Sequence, residues 1–188
     1  MEIPLIGNSV LLRPYRDEDA GALYEAVRES MAEMSPWLGW VHENYSIAES
    51  REFILSRAQA AANAEWYSLG IFAKENDRLL GGVGLNFINR VHQVGNLGYW
   101  VRTSAAGQGI ATRAARGMAR YGFEKVGLHR IEIVAAVPNI ASQRVAEKAG
   151  AVREAVLRNR LLIGGKSQDA VMFSLIPEDL RSVTDFNR

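Results

Sequence analysis

Two short stretches of this chain bear on its chemistry, and the first has the residue types and spacing to hold a phosphorylated ligand. One is Gly98-Tyr99-Trp100-Val101-Arg102, followed by Ala106-Gly107-Gln108-Gly109-Ile110-Ala111-Thr112 at the head of an alanine-rich run. Small residues between a strand and a helix let main-chain N–H groups approach a ligand closely. The helix start adds unpaired donors and the positive end of a dipole. That combination suits a pyrophosphate. Gly107 and Gly109 also suit a plain turn of the chain, the bland meaning of a Gly-x-Gly pair. The spacing of the dinucleotide fingerprint and of the P-loop is absent, and so is the P-loop lysine. The other stretch is Asn139-Ile140-Ala141-Ser142. Asn139 suits a helix N-cap, with Ser142 in the first turn.

The elements that must position these residues read as follows. Ser9 to Leu12 is a short apolar strand ending at Arg13-Pro14. Asp17 is the expected N-cap of a helix, with Glu18 and Asp19 in its first turn. Ala20, Leu23, Tyr24, Val27, Met31 and Met34 form one apolar face, and Ser35-Pro36 ends the run. An aromatic loop follows, with Trp37, Trp40, His42 and Tyr45. Ser46-Ile47-Ala48-Glu49 is the pattern of a capping box for a second helix running towards Ala62. Trp66 to Ala73 and Leu79 to Ile88 read as a hairpin across Glu75-Asn76-Asp77. Gly81, Gly82 and Gly84 suggest a bulge or a close backbone neighbour. A further strand covers Val94 to Arg102, and the glycine loop leads into a helix to about Lys125. Arg130 to Val137 is a buried strand, and Asn139 to Gly150 is a helix with a glycine cap. Val152 to Leu175 is a hairpin turning at Gly164-Gly165. The expected fold is a single mixed α/β (α+β) domain over 1–188.

In this order the motifs resemble the GNAT superfamily of N-acetyltransferases, over about Val10 to Leu175. The family's pyrophosphate loop is Arg/Gln-x-x-Gly-x-Gly/Ala before a helix. Gly109 and Ala111 fill its last two set positions, and Ala106 stands where Arg or Gln is usual. Leu128-His129-Arg130-Ile131-Glu132, the Asn139-x-x-Ser142 pair and Glu147-Lys148-Ala149-Gly150-Ala151 look like the branch that acetylates ribosomal-protein amino termini at serine or alanine. The resemblance implies a mixed central sheet, splayed at an acyl-CoA cleft and flanked by helices, with acetyl-CoA as co-substrate. It assigns the cleft wall to Trp100, Val101 and Arg102. It gives pyrophosphate binding to Gly107, Gln108, Gly109, Ile110, Ala111 and Thr112, and the pantetheine anchor to Asn139. Ser142 is then the group near the CoA sulfur that hands it a proton. Trp100 equally suits core packing.

The general base is not obvious. Many relatives carry a glutamate just before the Gly-Tyr-Trp motif, where this chain has Asn96. Some of the N-terminal branch use one on the penultimate strand, and the matching position here is Leu161. The remaining candidates are Glu132, His42 and Glu43, with Glu132 also suited to a structural pair on its own strand. A water relay, or an amine that arrives neutral, removes the need for a strong base. An α-amine has a pKa near 8 and a lysine amine one near 10, which favours an amino terminus. Trp37, Trp40, His42 and Glu43 are the acceptor-side candidates. Trp66 is another, with core cover or a dimer surface as the alternative for the tryptophans. Arg113, Arg116 and Arg120 are candidates for the 3′-phosphate of CoA.

Bulk properties narrow the classes further. The 188 residues are 48% hydrophobic and 23% charged, and the net charge is only +1, so a nucleic-acid partner is not expected. There is no cysteine, which removes disulfides, thiolate metal sites and a thiol nucleophile and fits a cytoplasmic protein. His42, His92 and His129 lack metal-ligand spacing, so no metal is expected. Met1 to Pro4 lacks the start of a signal peptide, and no apolar run approaches the roughly 20 residues of a membrane span. The leading expectation is N-α-acetylation of a protein or peptide, and the resemblance allows a homodimer. A small-amine acetyltransferase (polyamine, aminoglycoside or amino-acid derivative) and a non-catalytic acyl-CoA sensor are the alternatives.

Overall fold

The computed structural model describes residues 3–4 and 9–181. The expected domain, 1–188, reaches past them at both ends. Eight strands form one sheet in the order β1-β2-β3-β4-β5-β6-β8-β7. They are β1 (Ile3–Pro4), β2 (Val10–Arg13), β3 (Tyr67–Ala73), β4 (Leu79–Asn89), β5 (Val94–Val101), β6 (Arg130–Ala136), β7 (Val152–Ile163) and β8 (Lys166–Leu175). Every neighbouring pair is antiparallel except β5 and β6, which run parallel.

The helices divide between the two faces. Helices α1 (Ala20–Glu29) and α3 (Ile47–Ala62), with the short α2 (Met31–Met34), share a core with Phe72 and Leu79. Helices α4 (Ile110–Tyr121) and α5 (Ile140–Ala149) cover the other face. There Leu69, Ile71, Val83, Leu85, Leu97, Ile131, Ile133 and Phe173 meet Met118, Ala115 and Ala146. Alanines along α4 let that helix lie close to the sheet, which fixes where its first turn stands. Helix α6 (Pro177–Arg181) closes the described chain.

Several local expectations change in detail. The first helix starts at Ala20, because Asp17–Asp19 forms a 3-10 turn capped by Asp19, whose carboxylate accepts the Arg16 N–H at 2.7 Å. That carboxylate is also held by buried Arg13, which reaches Asp77 as well. The apolar face from Ala20 to Met34 is interrupted at Ser30, whose hydroxyl donates to the Ala26 carbonyl at 2.8 Å. Ser46 and Glu49 form the expected capping box. The helix expected to reach Lys125 ends at Tyr121 and continues as a wider turn over Gly122–Val126.

Candidate functional site

The parallel pair of strands comes apart. Strands β5 and β6 are in register only at Val94–Arg130, Gly95–Ile131 and Asn96–Glu132. Beyond Asn96 the next five residues of β5, Leu97 to Val101, stay paired to β4 on one side but face no strand on the other. Meanwhile β6 continues to Ala136 against β8. The sheet is therefore splayed into a V at this point. The Arg102 N–H donates to the Leu80 carbonyl at 2.8 Å, so its main chain points towards β4. Strand groups alternate with a period of two, so those of Leu97, Tyr99 and Val101 point into the gap. Val101, expected on the cleft wall, faces the gap.

Arg102 does not. Its side chain is buried, donating to the Glu29 carboxylate and, at 3.1 Å, to the Leu79 carbonyl. Glu29 also accepts the Ser104 N–H at 2.8 Å. The Arg102 guanidinium holds the Glu29 carboxyl down at about 2. This ion pair clamps the end of β5 to the end of α1, a structural role. Trp100 lies on the α1 side of the sheet, over Gly82. A Cβ on Gly82 would sit 2.6 Å from the indole nitrogen. Its ring meets Trp40 edge-on at 6.3 Å.

The glycine loop stands at the mouth of the V. Ala106 to Gly109 are exposed, and Gly109, with φ of +71°, sits at the head of α4. That backbone region favours glycine. Arg113 is the residue whose N–H closes the first helical bond, onto the Gly109 carbonyl at 3.1 Å. The N–H groups before it, those of Ile110, Ala111 and Thr112, have no acceptor within the helix by its geometry. A Cβ on Gly109 would lie 3.8 Å from the Arg113 guanidinium, so that cation folds back over the loop. Arg120 stands seven residues further on, about 10 Å along the axis, and does not border the loop. Arg116 is half-buried on the same helix beside Arg120.

Across the gap, Asn139 caps α5 by accepting the Ser142 N–H at 3.0 Å. Ser142 meets β5 through a residue the sequence reading gave no role. The Tyr99 hydroxyl donates to the Ser142 carbonyl at 2.8 Å and lies 3.2 Å from the Ser142 hydroxyl. Only the Gly-Tyr-Trp placement on β5 hinted at it. Burial pushes the Tyr99 phenol up to about 12.

Of the carboxylate candidates, Glu132 is engaged. Glu132 accepts from Arg130 at 3.0 Å, and Arg130 also binds Glu154 at 2.6 Å. Asn96, its neighbour on the same face, donates to the Asn86 side chain at 2.8 Å. Leu161 sits half-buried at the far end of the β7 bulge.

On the aromatic loop, Trp40 also packs against Tyr45, which stacks on Tyr24. His42 touches Tyr45 and pairs with Glu49 at 2.8 Å. Glu49 had entered the sequence reading as a helix cap, so that pairing was missed. Trp37 is half-buried outside this group of rings, and Glu43 is exposed, its carbonyl accepting from Arg28. Trp66 lies at the opposite end of β3, against Phe87 and under the Arg57 guanidinium, and does not join the loop. No metal-holding cluster occurs among the described residues. None of their helices is long and apolar enough to cross a membrane.

Comparison with known proteins gives this geometry a context. A sequence-family profile described as "Acetyltransferase (GNAT) domain" matches residues 9–152. The "Probable N-acetyltransferase YjcK" of Bacillus subtilis is 30% identical, over 93% of this chain and 98% of its own. The "Putative ribosomal N-acetyltransferase YdaF" of the same organism is 27% identical, over 93% and 94%. Among solved structures, a ribosomal L7/L12 alpha-N-protein acetyltransferase, RimL, in complex with coenzyme A superposes with a TM-score of 0.84. It covers 93% of this chain and 97% of its own at 22% identity.

Proposed function

The chain belongs to the GNAT acetyltransferase family, and on that premise we propose that it moves the acetyl group of acetyl-CoA onto the α-amine of a protein or peptide amino terminus. The observation that carries this reading is the parting of β5 from β6 after Asn96, with the glycine loop and the head of α4 at its mouth. A pantetheine arm carries amides that need partners, and the free main-chain groups of Leu97, Tyr99 and Val101 supply an edge for them. The N–H groups from Gly107 to Thr112 and the Arg113 cation suit the pyrophosphate.

In the reaction the amine nitrogen attacks the thioester carbon, the C–N bond forms, and the C–S bond breaks. The attacking nitrogen sheds one proton to solvent water, and the sulfur leaves as a thiolate that takes a proton. Ser142, at the head of α5, is the donor in this reading, with Asn139 holding its N–H. A main-chain N–H on the gap edge polarises the carbonyl.

The engagement of Glu132 by Arg130 and of Asn96 by Asn86 favours an amine that needs little help to lose its proton. An α-amine, with a pKa of about 7.7–8.0, has an appreciable neutral fraction near neutral pH, and a lysine amine near 10.4 does not. The names of relatives such as the ribosomal N-acetyltransferase YdaF support a ribosomal-protein type of acceptor. Trp40 and Trp100 form the acceptor side, and the same aromatic loop supplies Trp37, His42 and Glu43. We place the enzyme in the cytoplasm, as a chain without cysteine allows, and expect it to work as a homodimer.

The test is acetyl-CoA turnover, read as free-thiol release, against peptides with free amino termini, polyamines and aminoglycosides. Release that depends on the peptide supports the proposal. Release with a small amine alone moves the acceptor class. The engagement of Glu132 and the amide at Asn96 support one other reading, a non-catalytic sensor, which predicts CoA binding in calorimetry with no release for any amine.

A further inference from the structure

Ser142 is held from three directions, and two of them come from one side chain. Its N–H is taken by Asn139, while its carbonyl and its hydroxyl both face the Tyr99 hydroxyl, at 2.8 and 3.2 Å. Tyr99 stands three residues past the last β5–β6 pair, so this contact spans the open part of the V. The hydrogens can be counted. A phenol has one proton and a serine hydroxyl has one. If the tyrosine proton lies on the Ser142 carbonyl, as the shorter distance indicates, the serine proton is the one that fills the longer contact. It is then parked on Tyr99 and not free for a ligand. If the tyrosine proton turns instead to the serine oxygen, the serine proton is released to point elsewhere. A hydroxyl that accepts one hydrogen bond is also a better donor of the next.

We propose that Tyr99 is a positioning residue for the acetyl transfer, which turns the Ser142 hydroxyl from an engaged donor into a free one aimed at the leaving sulfur. The inference rests on the reading of Ser142 given above. As the C–S bond breaks, the serine proton passes to the thiolate and the Tyr99 hydroxyl hydrogen-bonds the serine oxygen that lost it. The amine nitrogen sheds its proton to solvent water, the serine regains one from that water, and Tyr99 itself undergoes no net change. A phenol near 12 remains a donor across the working pH range of such an enzyme. Tyr99 touches Ser142 and acts through it, so it is not itself catalytic.

The experiment is a double-mutant cycle on the full chain with Tyr99→Phe, Ser142→Ala and the pair, each checked by circular dichroism and thermal melting. Phenylalanine keeps the ring and removes only the hydroxyl. The expected result is that Tyr99→Phe lowers kcat roughly tenfold with KM for acetyl-CoA changed by less than about twofold, a loss realised in the transition state. In the Ser142→Ala background the same change alters kcat by less than about twofold. An equal loss on both backgrounds, or an unchanged kcat in folded Tyr99→Phe when Ser142→Ala is impaired, overturns this proposal and leaves the serine reading intact. A Ser142→Ala enzyme with full kcat overturns the serine reading and this proposal with it. A melting temperature that falls in Tyr99→Phe while kcat holds reduces the contact to packing.

Discussion

The two sides of the V are built by different means. On the proposed donor side, from β5 through α4 to the head of α5, the groups available to a ligand are mostly main-chain atoms. They are the gap edge from Leu97 to Val101 and the N–H groups from Gly107 to Thr112. Their directions follow from strand alternation and helix geometry. On the proposed acceptor side, Trp40, Tyr45 and His42 come from one loop, Tyr24 from α1, Glu49 from α3 and Trp100 from β5. Nothing local fixes their arrangement; it exists only once four separate segments have packed. The difference teaches that a site made of backbone tolerates changes of side chain, provided none intrudes. A site made of packed rings depends on each of them.

The comparison can be broken most sharply at Gly109. Gly109→Glu puts bulk, negative charge and a strained φ where phosphate would sit. Calorimetry should show CoA affinity falling by about 100-fold or more, some 2.7 kcal/mol. Unchanged affinity in a folded variant would remove the loop from the donor site. On the other side, Trp40→Ala removes a ring between Tyr45 and Trp100. It should raise the KM for a peptide acceptor about tenfold and leave CoA affinity unaltered. If CoA affinity fell instead, the two sides would not be separable. Arg113→Ala tests whether a side chain adds to the backbone site, and should weaken CoA only about threefold, less at high salt. A tenfold loss would mean that the donor side also leans on side chains.

A smaller effect sharpens the link between the two sides, the Arg102–Glu29 pair. Glu29 is held down at about 2 from an ordinary 4.5. The unfolded chain therefore takes up its proton first as the pH falls. The stability this pair contributes is present above about 4.5 and is lost progressively down to about 2. Melting temperatures of Glu29→Gln should accordingly fall less steeply over that acid window than those of the wild type. Glu154, lowered in the same way by Arg130, remains in both proteins and supplies a shared background slope. Parallel slopes would show that the clamp contributes nothing measurable.

How much of this was legible in the sequence follows the same division. The capping box at Ser46, the Asn139 cap, the αL glycine at Gly150 and the Gly164-Gly165 turn are local signals, and each is where the residues put it. The glycine loop was legible for the same reason. Arg102 was misplaced because its fate depends on Glu29, distant in sequence and brought near by α1. Trp66 was grouped with the acceptor loop on residue type, yet β3 carries it to the closed end of the sheet. The Tyr99–Ser142 contact joins residues 43 apart across a gap that no periodicity announces.

The most direct test of the central claim is amide hydrogen exchange with and without saturating acetyl-CoA. The splayed-sheet account predicts slower exchange at the main-chain N–H groups of Leu97 to Val101 and of Gly107 to Arg113, with the loop carrying Trp37 to Tyr45 little changed. Protection confined to the aromatic loop, or absent from the β5 edge while CoA is bound, would contradict it.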